Sequence, residues 1–271
     1  MNISVELVKQ LRDMTLASLK DCKECLVEAG GDITKAQELL KKKGIASAGK
    51  KGDRETKEGK VAYKVQNNTI AILKLGCETD FVAKNELFDQ LMEDVLTLAI
   101  DHQTNSFETL PESVVGSINE RIAQTIGTLG ENMKVVGLLV KPLPSSKVYV
   151  YTHAGSKLIA AVYYDIIGSE AEVGVKKAAL QIAAMDPTYL SIESIPTAML
   201  DTMKAEFEQE VRATGKPDAV IPNIVAGKLN KKYSEIVLLE QGYVGDESQK
   251  IKDIIANQAT LIGFDRVGFG N

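Results

Sequence analysis

The sequence predicts an α+β chain: a small N-terminal helical bundle, a core of two hairpin-plus-helix subdomains, and a projecting antiparallel helical arm. Three observations carry that prediction. Apolar residues recur at helical spacing through the first 44 residues, a period-two alternation then appears twice around tight turns, and two narrow-striped helices follow Pro196. A length of 271 residues leaves room for more than one domain. The net charge of −5 argues against a chain whose main business is coating nucleic acid. Three cysteines, and a Met1–Glu6 start without a basic-then-apolar pattern, point to free thiols in a reducing cytoplasm. No apolar run approaches the ~18–20 residues of a membrane span.

In the bundle, Ile3, Leu7, Leu11 and Met14 stripe a first helix. Ser18-Leu-Lys-Asp21 has the form of a capping box opening a second helix, with Cys22, Cys25, Leu26 and Ala29 on its apolar side. Gly30-Gly31 stops that helix, and Asp32 caps a third lined by Ile33, Ala36, Leu39 and Leu40 and ended by Gly44. Residues 45–60 lose periodicity, become Gly- and charge-rich, and read as a solvated linker.

From Val61 the period changes to two. Val61–Val65 and Ile70–Leu75 flank Asn67-Asn68 as a β-hairpin. The stretch Gly76-Cys-Glu-Thr-Asp-Phe-Val-Ala-Lys-Asn85 joins it to a helix with Leu87, Phe88, Leu91, Val95 and Ala99 on one face. A helix from about Ser113 to Leu129 and a strand at Val135–Val140 complete this unit, and Pro142 and Pro144 mark its end. A second hairpin, Lys147–His153 with Lys157–Asp165, leads to a helix ending at Asp186-Pro187. Pro196 opens a helix striped by Leu200, Met203, Phe207 and Val211. After the Gly215-Lys-Pro217 turn, Ile221, Val225, Leu229 and Tyr233 stripe its partner. A short helix at Ile251–Ile255 and a strand at 260–269, placed to join one of the sheets, close the chain.

Chemistry is harder to find. Cys22-x-x-Cys25 lies on an apolar stripe, where cysteine behaves as a small hydrophobe, so a core role outweighs metal or redox chemistry. Cys77 could pair with His102 or His153 as nucleophile and base, but nothing in the spacing brings them together. Phosphate-loop, dinucleotide and zinc-protease motifs are absent. Phe81 lies seven residues before Phe88, which on a continuous helix places it in the core, with Thr79 or Asp80 as cap. His153, at a strand end, reads as a surface turn residue. Residues alone therefore give a multi-domain binding protein without an evident active site.

Several motifs together resemble the elongation factor Ts family of bacterial guanine-nucleotide exchange factors. They are Thr79-Asp-Phe-Val82 within Cys77–Lys84, Asp21-Cys-Lys23, Glu28-Ala-Gly-Gly-Asp32, Lys43-Gly44, Lys50-Lys51, Arg54, Glu58-Gly59, Gly215-Lys-Pro217, Val225-Ala-Gly-Lys-Leu229 and Leu238-Leu239-x-Gln241. The resemblance covers essentially the whole chain. It implies a ubiquitin-associated-like three-helix domain over 1–52 with a linker to about 60, a core N-terminal subdomain over 61–144, and a core C-terminal subdomain over 145–271. A coiled-coil arm falls at about 195–237. It also implies a partner, the GTPase domain of elongation factor Tu, whose Mg²⁺ and phosphate site is disturbed by Thr79, Asp80, Phe81 and Val82, with His153 as a further contact. No cofactor, metal, enzymatic reaction, direct nucleic acid or membrane is implied, and a dimer of the heterodimer is an open possibility. The chain departs from the family where Met14-Thr-Leu-Ala-Ser18 replaces an Arg-Thr-Gly-Ala-Gly-like turn, where Cys25 replaces an alanine, and in the loosely matching 147–157 segment. Two rival readings stand beside exchange: a non-catalytic adaptor or dimerising binding protein, and a thiol enzyme resting on Cys77.

Overall fold

The computed structural model describes residues 3–15 and 17–269; Leu16 of the Met14–Ser18 turn lies outside the described residues, as do Met1, Asn2, Gly270 and Asn271. Contacts divide the chain into two units, Met1–Pro142 with Gly155–Lys157 and Gly268–Asn271, and Leu143–Ala154 with Leu158–Val267. Helix and sheet are mixed in both, as the patterning predicts.

The first unit opens with α1 (Val5–Thr15), α2 (Leu19–Glu28) and α3 (Ile33–Lys51), which close on Leu11, Cys22, Cys25, Leu26 and Ala36. The Ser18 hydroxyl accepts the Asp21 amide at 3.1 Å to start α2, and Asp32 accepts the Lys35 amide at 3.1 Å to start α3. Gly30 and Gly31, at φ 64° and 87°, supply the left-handed step between them. Next come β1 (Glu58–Gln66) and β2 (Thr69–Cys77), paired antiparallel across Asn67-Asn68. Both asparagines have positive φ, 49° and 58°, as a tight two-residue hairpin loop demands. Then follow α4 (Asp80–Ala83), α5 (Glu86–Ala99), α6 (Glu112–Leu129) and β3 (Met133–Pro142), giving a sheet of order β1-β2-β3. Ala71, Leu73, Leu75 and Cys77 of β2 share a core with Phe88, Leu91 and Val95 of α5 and Ile118, Ile122 and Ile126 of α6.

Gly44 does not end α3, and the predicted 45–60 linker is corrected: helix continues to Lys51 and strand begins at Glu58. The cause is tertiary. Gly44 is buried against α6, and a Cβ on Gly127 would stand 2.6 Å from the Gly44 Cα. Two glycines let the helix backbones meet, and that packing offsets the ~1 kcal/mol that glycine costs a helix interior.

The second unit holds β4 (Lys147–His153), β5 (Leu158–Ile166) and α7 (Ala171–Met185). It continues with α8 (Thr197–Ala213), α9 (Ile221–Ile236), the short hairpin β6 (Gly242–Tyr243) and β7 (Asp246–Lys250), then α10 (Ile251–Ile255) and β8 (Ala259–Gly268). β8 joins β5 to give the order β4-β5-β8, so the C-terminal strand does return to a sheet. Ala160, Val162 and Tyr164 pack on Val175, Ala178, Ala179 and Ile182 of α7. Pro196 stands at the cap position, one residue ahead of α8, because its ring fixes φ while Thr197 begins the turn. α8 and α9 run antiparallel: Met203 meets Val237 near one end, and Val211 meets Ile221 and Val225 near the other. The buried Gln181 donates to Gln241 at 3.0 Å, and Gln241 donates to the Glu235 carbonyl at 2.8 Å, fastening the end of α9 to α7.

The glycine contact generates a test. Gly127→Ala should lower stability by about 1–3 kcal/mol, since the added methyl meets rigid backbone. Gly116→Ala, on the same helix with nothing within 4 Å, should instead stabilise by roughly 0.5–1 kcal/mol. Denaturant melts of both variants check the pair, and equal effects would contradict the packing account.

Candidate functional site

β2 ends at Cys77, and the chain turns immediately. Thr79 is extended, at φ −126° and ψ 157°, and its hydroxyl accepts the Val82 amide, so Thr79 is the N-cap and Asp80 the first residue of α4. One turn later Lys84 ends the helix, and the Asn85 carboxamide accepts the Leu87 amide at 2.9 Å to start α5 afresh. That break changes the phase between Phe81 and Phe88. Phe88 is buried, whereas Phe81 is 81% exposed, the most exposed large apolar side chain among the described residues. The core position predicted for Phe81 from a continuous helix is therefore corrected: there are two helices, and the shorter one turns its ring into water.

The rest of the turn faces inward or stays ionic. Ala83 is buried, and Val82 packs half-buried against the α5–α6 core. Asp80 takes a hydrogen bond from the Lys84 ammonium at 2.7 Å, and that bond holds its carboxyl below the usual range, so it is ionised at neutral pH. Thr79, Asp80, Phe81 and Val82 thus form one compact feature with an apolar tip and a carboxylate beside it.

Residues distant in sequence hold it in place. Thr79 donates its amide to Glu131 Oε2 at 2.9 Å and its hydroxyl to Glu131 Oε1 at 2.7 Å. In return the Glu78 carboxylate accepts the Asn132 amide at 2.6 Å, and Arg54 also reaches Glu78. The Asn132 side chain, itself buried, donates to the Gly52 and Arg54 carbonyls. Glu131 and Asn132 did not emerge from sequence reasoning. Their only local signal is a helix stop at Gly130, φ 83°, and the contact spans 52 positions.

The remaining candidates separate cleanly. His153 is the exposed last residue of β4, in the second unit, where its Nδ1 lies 3.0 Å from the Tyr151 hydroxyl. Cys77 is fully buried, and its thiol donates to the Thr79 carbonyl at 3.1 Å. Burial, with a lesser contribution from the nearby Glu131, pushes that thiol up to about 11, the opposite of nucleophile activation. The thiol-enzyme reading fails on this geometry. Cys22 and Cys25 are buried in the bundle core, with thiols likewise raised by burial, as a core role requires.

A sequence model for the family described as Elongation factor TS matches residues 78–271. Elongation factor Ts of Hydrogenobaculum sp. is 38% identical over 278 aligned positions, covering 100% of both chains. Those of Aquifex aeolicus and Chlorobium phaeobacteroides are 36% and 37% identical, over 98% and 93% of this chain and 96% and 91% of theirs.

The buried thiol is directly testable. At pH 8, alkylation of Cys77 in the native protein should be about a hundredfold slower than in denaturant, because thiolate is the reactive form. Peptide mapping after timed iodoacetamide treatment reads this, and comparable rates would contradict it. The folded thiol keeps its proton to higher pH than the unfolded one, so stability should fall as pH climbs from 9.0 towards about 11.

Proposed function

The chain belongs to the elongation factor Ts family, and from that premise we propose that the Thr79–Val82 turn is the element that acts on its partner GTPase. The function is guanine-nucleotide exchange on elongation factor Tu: the chain binds the GDP form and promotes GDP release, so that the GTP form is regenerated. The observation that carries the site assignment is the exposed Phe81 ring, held out on a turn whose own backbone is tightly bonded.

The mechanism follows from what a GTPase needs. Phosphate-loop amides and a Mg²⁺ ion hold the nucleotide, and Mg²⁺ tolerates little departure from octahedral geometry. Phe81 is the wedge: burying its ring between helices of the partner supplies roughly 1.5–3 kcal/mol, enough to favour a state in which the metal ligands are displaced. Asp80, ionised and beside the ring, adds charge and hydrogen bonding, while Thr79 and Val82 fix the turn. Coupling is reciprocal, so incoming nucleotide must in turn weaken the hold of the chain on its partner. No covalent bond is made or broken, so this is not an enzymatic reaction.

Finer assignments rest on the same family likeness. The α1–α3 bundle serves as a ubiquitin-associated-like docking domain over 1–52, linked to core subdomains at 61–144 and 145–271. The α8–α9 pair is a coiled-coil arm, supported by its narrow stripe from Leu200 to Tyr233. His153 is a second contact to the GTPase domain, favoured by its exposure at a strand end. The cytoplasm, where translation runs, is the location, and among the described residues no helix is long and apolar enough to cross a membrane.

Stopped-flow release of a fluorescent GDP analogue from elongation factor Tu tests the function and the wedge together. The chain should accelerate release, saturating with concentration. Phe81→Ala should lower the saturating rate at least about tenfold, while shifting stability by no more than ~0.5 kcal/mol, as expected of an exposed side chain. Undiminished exchange by a well-folded Phe81→Ala variant would overturn the wedge assignment.

A further inference from the structure

We propose that Glu131 is a positioning residue for nucleotide exchange, acting through Thr79 to fix the direction in which Phe81 leaves the surface. This rests on the exchange reading above and adds a residue that touches neither nucleotide nor, in this role, the partner.

α4 is only four residues long. Four residues make a single turn, which has no intrinsic persistence, since helix nucleation is unfavourable. Its outer face carries an exposed ring that gains nothing from the free protein. Something else must hold the turn, and polar contacts reach it from a segment 52 positions further along the chain. Gly130 ends α6 at φ 83°, a left-handed step that aims Glu131 back at the end of β2. Both oxygens of the Glu131 carboxylate are then used on one residue: Oε2 takes the Thr79 amide and Oε1 the Thr79 hydroxyl. The pair is crossed by a second carboxylate–amide bond, from Asn132 to Glu78 at 2.6 Å. With the Cys77 thiol donating to the Thr79 carbonyl, every polar atom of Thr79 is engaged.

Charge-assisted bonds of this kind are short and directional, so they select one orientation of the turn rather than merely attaching it. Orientation matters because a displacement on the order of 1 Å at a working group can cost about a hundredfold in rate. Thr79 has a further duty as the cap of α4, receiving the Val82 amide on the same hydroxyl it donates to Glu131. Loss of the carboxylate therefore loosens the turn and its cap together, while Ala83 and the α5–α6 core stay packed.

The test uses the full chain and the GDP-release assay, reading the saturating rate and the half-saturating concentration separately. Glu131→Gln keeps the shape but offers a donor to one of two Thr79 donors. It should lower the saturating rate about tenfold, with a much smaller effect on half-saturation, the pattern of an interaction that counts only when the wedge acts. Thr79→Val, which removes the hydroxyl that donates to the carboxylate, should resemble Glu131→Gln. The double variant Thr79→Val with Glu131→Gln should be little worse than either, because the two act as one unit. Gly127→Ala, which destabilises the same unit elsewhere, controls for stability. If it reduces exchange as much as Glu131→Gln does, or if Glu131→Gln exchanges normally, the positioning role is overturned. Normal exchange by Glu131→Gln beside impaired exchange by Phe81→Ala would remove only this inference, whereas normal exchange by Phe81→Ala would remove the wedge reading beneath it.

Discussion

Two hydrogen bonds from Thr79 to the Glu131 carboxylate are the constraint on which the candidate site depends. Water and packing both work against an exposed phenylalanine on an isolated helical turn: the ring is better buried, and the turn is too short to sustain itself. The first unit resolves that conflict by burying Ala83 beneath the turn, capping it with Thr79, and clamping the cap to the far end of α6. The resulting surface is apolar at its tip, ionic at its flank and fixed at its root. A partner that buries the tip gains free energy without first having to order it, which is the advantage of preorganisation.

The same unit illustrates how backbone proximity is built into helix packing. α3 and α6 approach through Gly44 and Gly127, and the end of α3 is then tied by Asn132 to the residues preceding the turn. Bundle and turn are thereby joined through short polar contacts over a glycine-lined helix pair. In the second unit the corresponding fastening is the buried Gln181–Gln241 pair, which fixes where α9 ends. In each a buried side-chain amide donates hydrogen bonds across the unit, and each specifies geometry more than it adds stability.

Much of this architecture was legible in the residues. Asn67-Asn68 between alternating strands gave the first hairpin, Ser18 and Asp32 gave helix starts, and the C-terminal strand was placed on a sheet. These signals are local, acting over two to four residues. Legibility failed where a tertiary contact overruled the local signal. Gly44 looked like a terminator because its partner, Gly127, lies 83 positions away. Phe81 looked like core because nothing in the spacing reveals that Lys84 and Asn85 interrupt the helix. Family resemblance singled out Phe81, but neither pattern nor resemblance led to Glu131, whose bond to Thr79 spans 52 positions.

In the proposed mechanism the free protein holds the Phe81 ring in water and the partner buries it during exchange. Fluorine resonance of 4-fluorophenylalanine placed at position 81 measures this directly, through the shift between H₂O and D₂O that only a solvent-exposed ring shows. The account predicts a clear solvent shift in the free protein that disappears on adding nucleotide-free elongation factor Tu. A solvent shift that persists in the complex would leave the ring in water throughout and contradict the account.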